Sequence, residues 1–412
     1  MDHSKKIGPL LGTVFYAVLL LTCFFGVLVG CHPTIPTATT AGATTEQLPT
    51  LRTKVNASAG IDRAAMGPNH RVYFLGYDQL NMIDGPKLVG QIDLADAATD
   101  LFDISVEPRS GLVYVTARRT DAVHVLSNTQ LLTTITGIVE SPRRVVTEED
   151  SGELYIFYSR SGDDGPAYRA AVLSGTQKVA DIAIPLWTRV ARYNPIDGRI
   201  YLGGAISPNP TDGLISPNAV AVIDNREVIS TISPIDKPDL AAIDMAIDST
   251  TGDVYILLVS KVVYWDRHSP LRSIDLYALG YKNLGCITVD PKRGWAYVCS
   301  WPGRPSYMLV VDKDQFVGAI EVEHWPHTAV ADATHDYVYV GHYDPTYLSI
   351  IRGTELITTL DYIGYGTANV VVDEERGYIY MANADDGTVT LFAFPAAPQP
   401  SFWQRFLPFI QR

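Results

Sequence analysis

Four cysteines in 412 residues are too few to build a disulfide scaffold or a multi-cysteine zinc site. Positive charge is also scarce: 32 lysines and arginines stand against 45 aspartates and glutamates, a formal net charge of −13. Such a surface repels phosphate backbones, so nucleic acid is not an expected partner. The chain has no G-x-S-x-G elbow, P-loop, dinucleotide-binding glycine pattern, HExxH pair or calcium loop, which leaves catalysis without a recognisable motif. Charged residues make up 19% of the chain and hydrophobic ones 47%, a balance that excludes wholesale disorder and describes a folded body.

The N-terminus reads as an address rather than as part of that body. Lys5 and Lys6 precede an uncharged apolar run from Ile7 to Gly30, which ends in Leu28-Val29-Gly30-Cys31. A short basic start, an apolar core and small residues before a cleavage point describe a secretory signal. The four closing residues resemble the bacterial lipoprotein signal, and that resemblance implies lipidation of Cys31 after removal of residues 1–30. The alternative is an uncleaved transmembrane anchor, because the run is long enough to span a bilayer. Both readings put the body outside the cytoplasm and tethered to membrane lipid. Residues 31–50 carry seven threonines and three prolines and almost nothing large and apolar, so a flexible stalk is expected there.

From residue 51 to 394 the chain repeats itself. A tyrosine recurs at positions 73, 114, 155, 201, 255, 297, 339 and 380, at spacings of 41, 41, 46, 54, 42, 42 and 41 residues. Three residues before it stands glycine in six copies, with His70 and Asp336 as the exceptions, and seven before it an acidic residue in most. The second unit shows the internal plan. Phe102–Val106, Leu112–Ala117, Ala122–Leu126 and Leu131–Ile135 are short apolar or alternating runs separated by turn residues. Four strands in a unit of 40–45 residues are the signature of a propeller blade. The repeats resemble YVTN-type propeller repeats of bacterial and archaeal surface proteins, most closely at Gly111-Leu-Val-Tyr-Val-Thr and around Gly377-Tyr-Ile-Tyr-Met-Ala. That resemblance implies a seven- or eight-bladed ring on a cell surface, with binding as its commoner role.

The expected fold is therefore an all-β propeller of about eight four-stranded antiparallel blades, seven if one unit is degenerate. The last unit lacks a fourth strand after Pro395, whereas Leu51–Val55 alternates like one, so this N-terminal segment should complete the last blade. An open ring would expose an edge and forfeit several backbone hydrogen bonds, each worth roughly 1 kcal/mol net. Residues 395–412 follow as a Pro/Ala linker and an aromatic tail.

Variation collects on one side of such a disc. The turns after the first and third strands are short and uniform, while the second-to-third connections and the crossovers between blades differ. Ser159–Tyr168 and Gly204–Asn218 are the longest of these. Irregular loops on a rigid ring are where binding residues sit. Eleven or twelve residues before each tyrosine, at the start of the innermost strands, stand Asp62, Asp103, Arg143 with Arg144, Arg189, Asp244, Cys286, His327 and Asn369. Trp187, Tyr281, Trp325 and Tyr365 are the aromatic rim expected around them. A polar ring edged by aromatics suits a saccharide, another small polar ligand or a partner protein. The same ring also suits a water-filled channel in which Asp and Arg merely pair.

Cys286 and Cys299 flank one turn, where a disulfide and two buried thiols are equally compatible with the spacing. Four histidines at 324, 327, 335 and 342 invite a metal, but their places in the repeat separate them. No cofactor is expected; a divalent cation on Asp62, Asp103 and Asp244 is the exception the sequence leaves open. The expected function is a membrane-anchored binding protein rather than an enzyme, with a metal-dependent lactonase or lyase as the alternative. The lipidation reading predicts that labelled palmitate enters the wild-type chain in a bacterial host but not Cys31→Ser. Equal labelling of both would contradict it.

Overall fold

The computed structural model describes residues 47–94, 100–160, 167–205, 220–232, 242–301, 303–344, 346–361 and 364–395. Within them every regular element is a strand. β1 (Thr50–Asn56) comes first, then four strands per blade. Blade 1 holds β2 (Arg63–Met66), β3 (Val72–Leu75), β4 (Gln79–Asp84) and β5 (Lys87–Asp93). Blade 2 holds β6 (Leu101–Val106), β7 (Leu112–Ala117), β8 (Ala122–Ser127) and β9 (Gln130–Thr136). Blade 3 is β10 (Arg144–Thr147), β11 (Leu154–Arg160), β12 (Ala167–Ser174) and β13 (Gln177–Ile184). Blade 4 is β14 (Trp187–Asn194), β15 (Arg199–Ala205), β16 (Val220–Asp224) and β17 (Glu227–Ile232). In blade 5 come β18 (Ala242–Ile247), β19 (Val254–Leu258), β20 (Lys261–Trp265) and β21 (Arg272–Asp275). In blade 6 come β22 (Leu284–Asp290), β23 (Trp295–Ser300), β24 (Ser306–Asp312) and β25 (Gln315–Val322). Blade 7 consists of β26 (Pro326–Asp332), β27 (Tyr337–His342), β28 (Leu348–Arg352) and β29 (Glu355–Leu360). Blade 8 takes β30 (Thr367–Asp373), β31 (Tyr378–Asn383) and β32 (Thr388–Ala393).

The eight sheets are four-stranded antiparallel meanders, and the eighth has the order β1-β32-β31-β30. The chain's first strand thus completes its last blade as the outermost strand, paired from Thr50↔Ala393 to Asn56↔Thr388. The innermost strands touch in succession from β2 round to β30, and β30 returns to β2, which closes an eight-bladed propeller. Residues 1–46, on which the expected signal segment and most of the expected stalk fall, and the tail from residue 396 lie outside the described residues.

Why these repeats stack is visible in where the apolar side chains go. There is no single central core. Eight clusters of buried residues each combine two adjacent blades, one for every seam of the ring. All eight repeated tyrosines are at most 2% exposed and rank among the largest fully buried side chains. Several hydroxyls tie one blade to the next. Tyr255 donates to Gly294 O at 2.7 Å, and Tyr297 donates to Gly353 O at 2.9 Å, in both cases a turn of the following blade.

The glycine and acidic columns frame the turn between first and second strands. The six column glycines have φ between 66° and 76°, a left-handed backbone that any Cβ strains. His70 and Asp336 hold the same conformation at φ 60° and 64°. Each makes a bond to a neighbouring blade that offsets the strain: His70 Nδ1 lies 3.0 Å from Asp373 Oδ1, and Asp336 receives both Nη atoms of Arg293 at 2.7 and 3.0 Å. The acidic column caps the turn, as where Glu107 accepts Arg109 N–H and Asp290 accepts Lys292 N–H at 2.8 and 2.9 Å.

Truncating a seam tyrosine opens a cavity between blades. Tyr297→Ala is expected to cost about 3–5 kcal/mol in denaturant unfolding, and Tyr297→Phe, which loses only the hydroxyl bond, about 1 kcal/mol. Equal costs for the two variants would show that the ring packing is not what matters.

Candidate functional site

Each innermost strand starts on the face that carries the crossovers, so its first residues surround the channel mouth on that side. Here the backbone departs from regular pairing in the same way in six blades. The register slips between Leu101 and Asp103, Thr188 and Val190, Ala242 and Asp244, Leu284 and Ile287, Pro326 and Thr328, and Thr367 and Asn369. A bulge leaves one residue unpaired and re-aims its neighbours. Arg189 and His327 are such unpaired residues.

The channel behind this mouth has a volume of about 590 Å³, and its walls include Asp103, Arg144, Arg189, Asp244, Cys286, His327 and Asn369. Arg63 and Arg192 line it too, though the sequence did not single them out. Arg63 adjoins the expected Asp62, and spacing cannot tell which of two neighbours faces inward; Arg192 lies three residues along β14 from Arg189, deeper than the column read from the sequence. Asp62 precedes β2 and interacts electrostatically with Arg63, Asp103 and Arg144. Loss of hydration raises its carboxyl pKa, and Asp103 pushes in the same direction.

Two expected residues are elsewhere. Arg143 is not on the channel wall: its guanidinium lies over the rings of Phe102 and Trp187, at 5.9 and 5.2 Å. Successive residues of an extended chain point to opposite sides, so Arg144 takes the channel and Arg143 the seam. Tyr281 belongs to the outer part of blade 6, with ring centroids 5.6 Å from Tyr307 and 5.5 Å from Phe316. Its crossover passes the outer strands before reaching β22, which keeps the ring from the mouth.

The channel's charges fall on one arc. Asp103 Oδ2 accepts Val145 N–H at 3.1 Å and stands 3.9 Å from Arg144 Nη1. Arg144 Nε in turn donates to Arg189 O at 2.6 Å, so blades 2, 3 and 4 are latched together. Arg192 pairs with Asp244 at 3.0 Å. Arg63 and Arg189 make no such ion pair among the described residues, and Arg63 Nε is buried without a hydrogen-bond partner. Blades 6, 7 and 8 contribute Cys286, His327 and Asn369 instead. Burial holds the His327 pKa below its usual value and the nearby Arg63 lowers it further, which keeps the imidazole neutral.

Aromatic side chains gather over the uncharged arc. Trp325 is 36% exposed, Tyr365 71% and Tyr77 73%. Tyr343 lies 5.3 Å from Trp325 and 5.6 Å from the His327 ring, and its hydroxyl donates to Asp385 at 3.3 Å. The rings of Tyr77 and Trp301 pack against Gly60 and Gly285, where a Cβ would come within 2.4 and 2.0 Å of them. Tyr77, Trp301 and Tyr343 occupy one place in the repeat, four residues after the buried tyrosine. That column was readable in the sequence. Trp187 does not join them: Arg143 and Arg189 approach its ring at 5.2 and 6.0 Å.

The histidines do not converge. His335 sits in a turn on the opposite face, bonded to Asp332 at 2.8 Å, and His342 is buried at the end of β27. No three His, Cys, Asp or Glu residues among those described stand close enough to share a metal ion. Cys286 and Cys299 form a disulfide across β22 and β23, with Cα atoms 5.0 Å apart. Most of the two long loops, residues 161–166 and 206–219, is outside the described residues.

No protein-family model matches the sequence, and no curated protein matches it. Solved structures do. Hydrazine synthase of Kuenenia stuttgartiensis is similar with a TM-score of 0.53 at 14% identity, over 84% of this chain and 98% of that one. Raptor of Chaetomium thermophilum aligns with a TM-score of 0.56 at 11% identity, over 86% of this chain but 30% of its own. Virginiamycin B lyase from Staphylococcus aureus gives 0.51 at 8% identity, over 84% and 99%. At such identities the likeness is one of fold.

His342 gives the domain a measurable pH response. Its Nδ1–H donates to His324 O at 3.1 Å and its Nε2 accepts from Ser349 at 2.9 Å, a neutral tautomer whose burial lowers the pKa to about 4. The unfolded chain takes up this proton near pH 6.5, so stability contributed by His342 is present above that pH and lost as pH falls towards 4. The loss amounts to roughly 3 kcal/mol. Denaturant titrations at pH 7 and 4.5 are expected to show a smaller pH-dependent loss for His342→Gln than for the wild type; equal losses would refute the assignment.

Proposed function

We propose that the chain is an extracytoplasmic propeller, tethered through Cys31, that binds a ligand at the channel mouth of its crossover face. The tether rests on residues 1–31 and the surface setting on the YVTN-like repeats. The observation that carries the binding reading is the pair of arginines, Arg63 and Arg189, which face the channel without an ion-pair partner among the described residues while Arg144 and Arg192 beside them have one. A guanidinium left unpaired on the wall of a pocket is a ready partner for a planar anion. The volume of about 590 Å³ is that of a small-molecule site.

The alternative of a metal-dependent lactonase or lyase lacks a ligand set among the described residues. Asp103 and Asp244 are engaged by Arg144, Arg192 and backbone amides.

Citrate serves as a probe. At constant ionic strength it is expected to raise the thermal midpoint of the full chain by on the order of 1–3 °C relative to a neutral polyol. The rise should vanish in the Arg63→Ala/Arg189→Ala double variant. An equal rise in wild type and variant would contradict binding at the mouth.

A further inference from the structure

The mouth is two-sided, and that division specifies a ligand class. On one arc stand the unpaired Arg63 and Arg189, on the other the exposed faces of Trp325 and Tyr365 with Tyr343 beside them, and Tyr77 of blade 1 stands where the two arcs meet. His327 joins the two, since its ring is 5.6 Å from that of Tyr343 while Arg63 lies near enough to depress its pKa. A ligand spanning both arcs needs a flat C–H-bearing face for the aromatics and an anionic group for the guanidiniums. It also needs hydroxyls for Asn369, Thr328 and the Asp385 carboxylate. Pyranose rings bearing an acid meet all three requirements; a simple dicarboxylate meets only one, and a neutral sugar leaves the arginines unused.

We propose, building on the binding function above, that the mouth receives an acidic oligosaccharide. One ring stacks on the Trp325–Tyr343 pair, and the carboxylates or sulfates of the neighbouring rings are met by Arg63 and Arg189. The protein's net charge of −13 opposes polyanions at long range, so recognition depends on these two guanidiniums at contact and not on a general basic field. His327, neutral between the arcs, offers a hydrogen bond at no Coulombic cost to either.

Trigalacturonate, its fully methyl-esterified form and a sulfated heparin disaccharide are suitable probes for isothermal titration against the full chain. Trigalacturonate or the heparin disaccharide is expected to bind at least tenfold more tightly than the ester, and the stronger of the two identifies the acid. Arg63→Gln/Arg189→Gln should abolish that preference. Trp325→Ala and Tyr77→Ala should weaken acid and ester alike. Equal affinity for acid and ester, or no binding of any of the three probes, would overturn the inference. If citrate then still stabilised the chain through Arg63 and Arg189, the general binding function would stand without it; if citrate failed as well, both would fall.

Discussion

A sheet that is apolar on both faces must be covered on both, and among the described residues each blade is covered by its neighbouring blades. Each blade lends one face to the seam before it and one to the seam after, so a row of blades would always leave two faces bare. Closure removes the two ends. The buried tyrosine column, the eight seam clusters and the pairing of β1 with β32 are consequences of that requirement. Val55 shows how directly β1 contributes, because it is buried in the same cluster as Val72 and Phe74 of blade 1 and Tyr380 of blade 8.

A frame held at its seams leaves its hub free of packing duties. The innermost strands contribute polar side chains to the channel, and in six blades the recurrent bulge lets a different residue stand there without disturbing the pairing below it. Some of that freedom serves the ring itself, as in the chain Asp103, Arg144 and Arg189 O that latches blades 2 to 4. What remains after those latches, two arginines without an ion pair among the described residues and a set of aromatic faces, is what the proposed binding function draws on.

The fold was legible because its determinants are periodic. Tyrosine, glycine and acid recur at fixed offsets, and the positive φ shared by Gly111 and Asp336 gives the physical reason for the glycine column and its exceptions. The missing fourth strand after Pro395 was legible for the same reason, as a gap in a period. The mouth was less so, since periodicity locates a position but not a direction. A one-residue ambiguity separated Arg144 on the wall from Arg143 in the seam and hid Arg63 beside Asp62, while Arg192 lies further along its strand than the column that was read. Tyr281 could not be placed without the path of its crossover. Tyr77, Trp301 and Tyr343 are a different case: their shared offset from the buried tyrosine was present in the sequence, and only the structure shows why an aromatic there covers the start of an inner strand.

The central claim is that one closed ring brings a guanidinium arc and an aromatic arc to a single mouth. A crystal structure of the full chain grown with trigalacturonate tests it most directly. The account predicts carboxylates of the ligand paired with Arg63 and Arg189 and a sugar ring lying against Trp325 and Tyr343. A ligand seated on the opposite, uniform-turn face, or a mouth in which both arginines fold back onto Asp62 and Asp103, would contradict it.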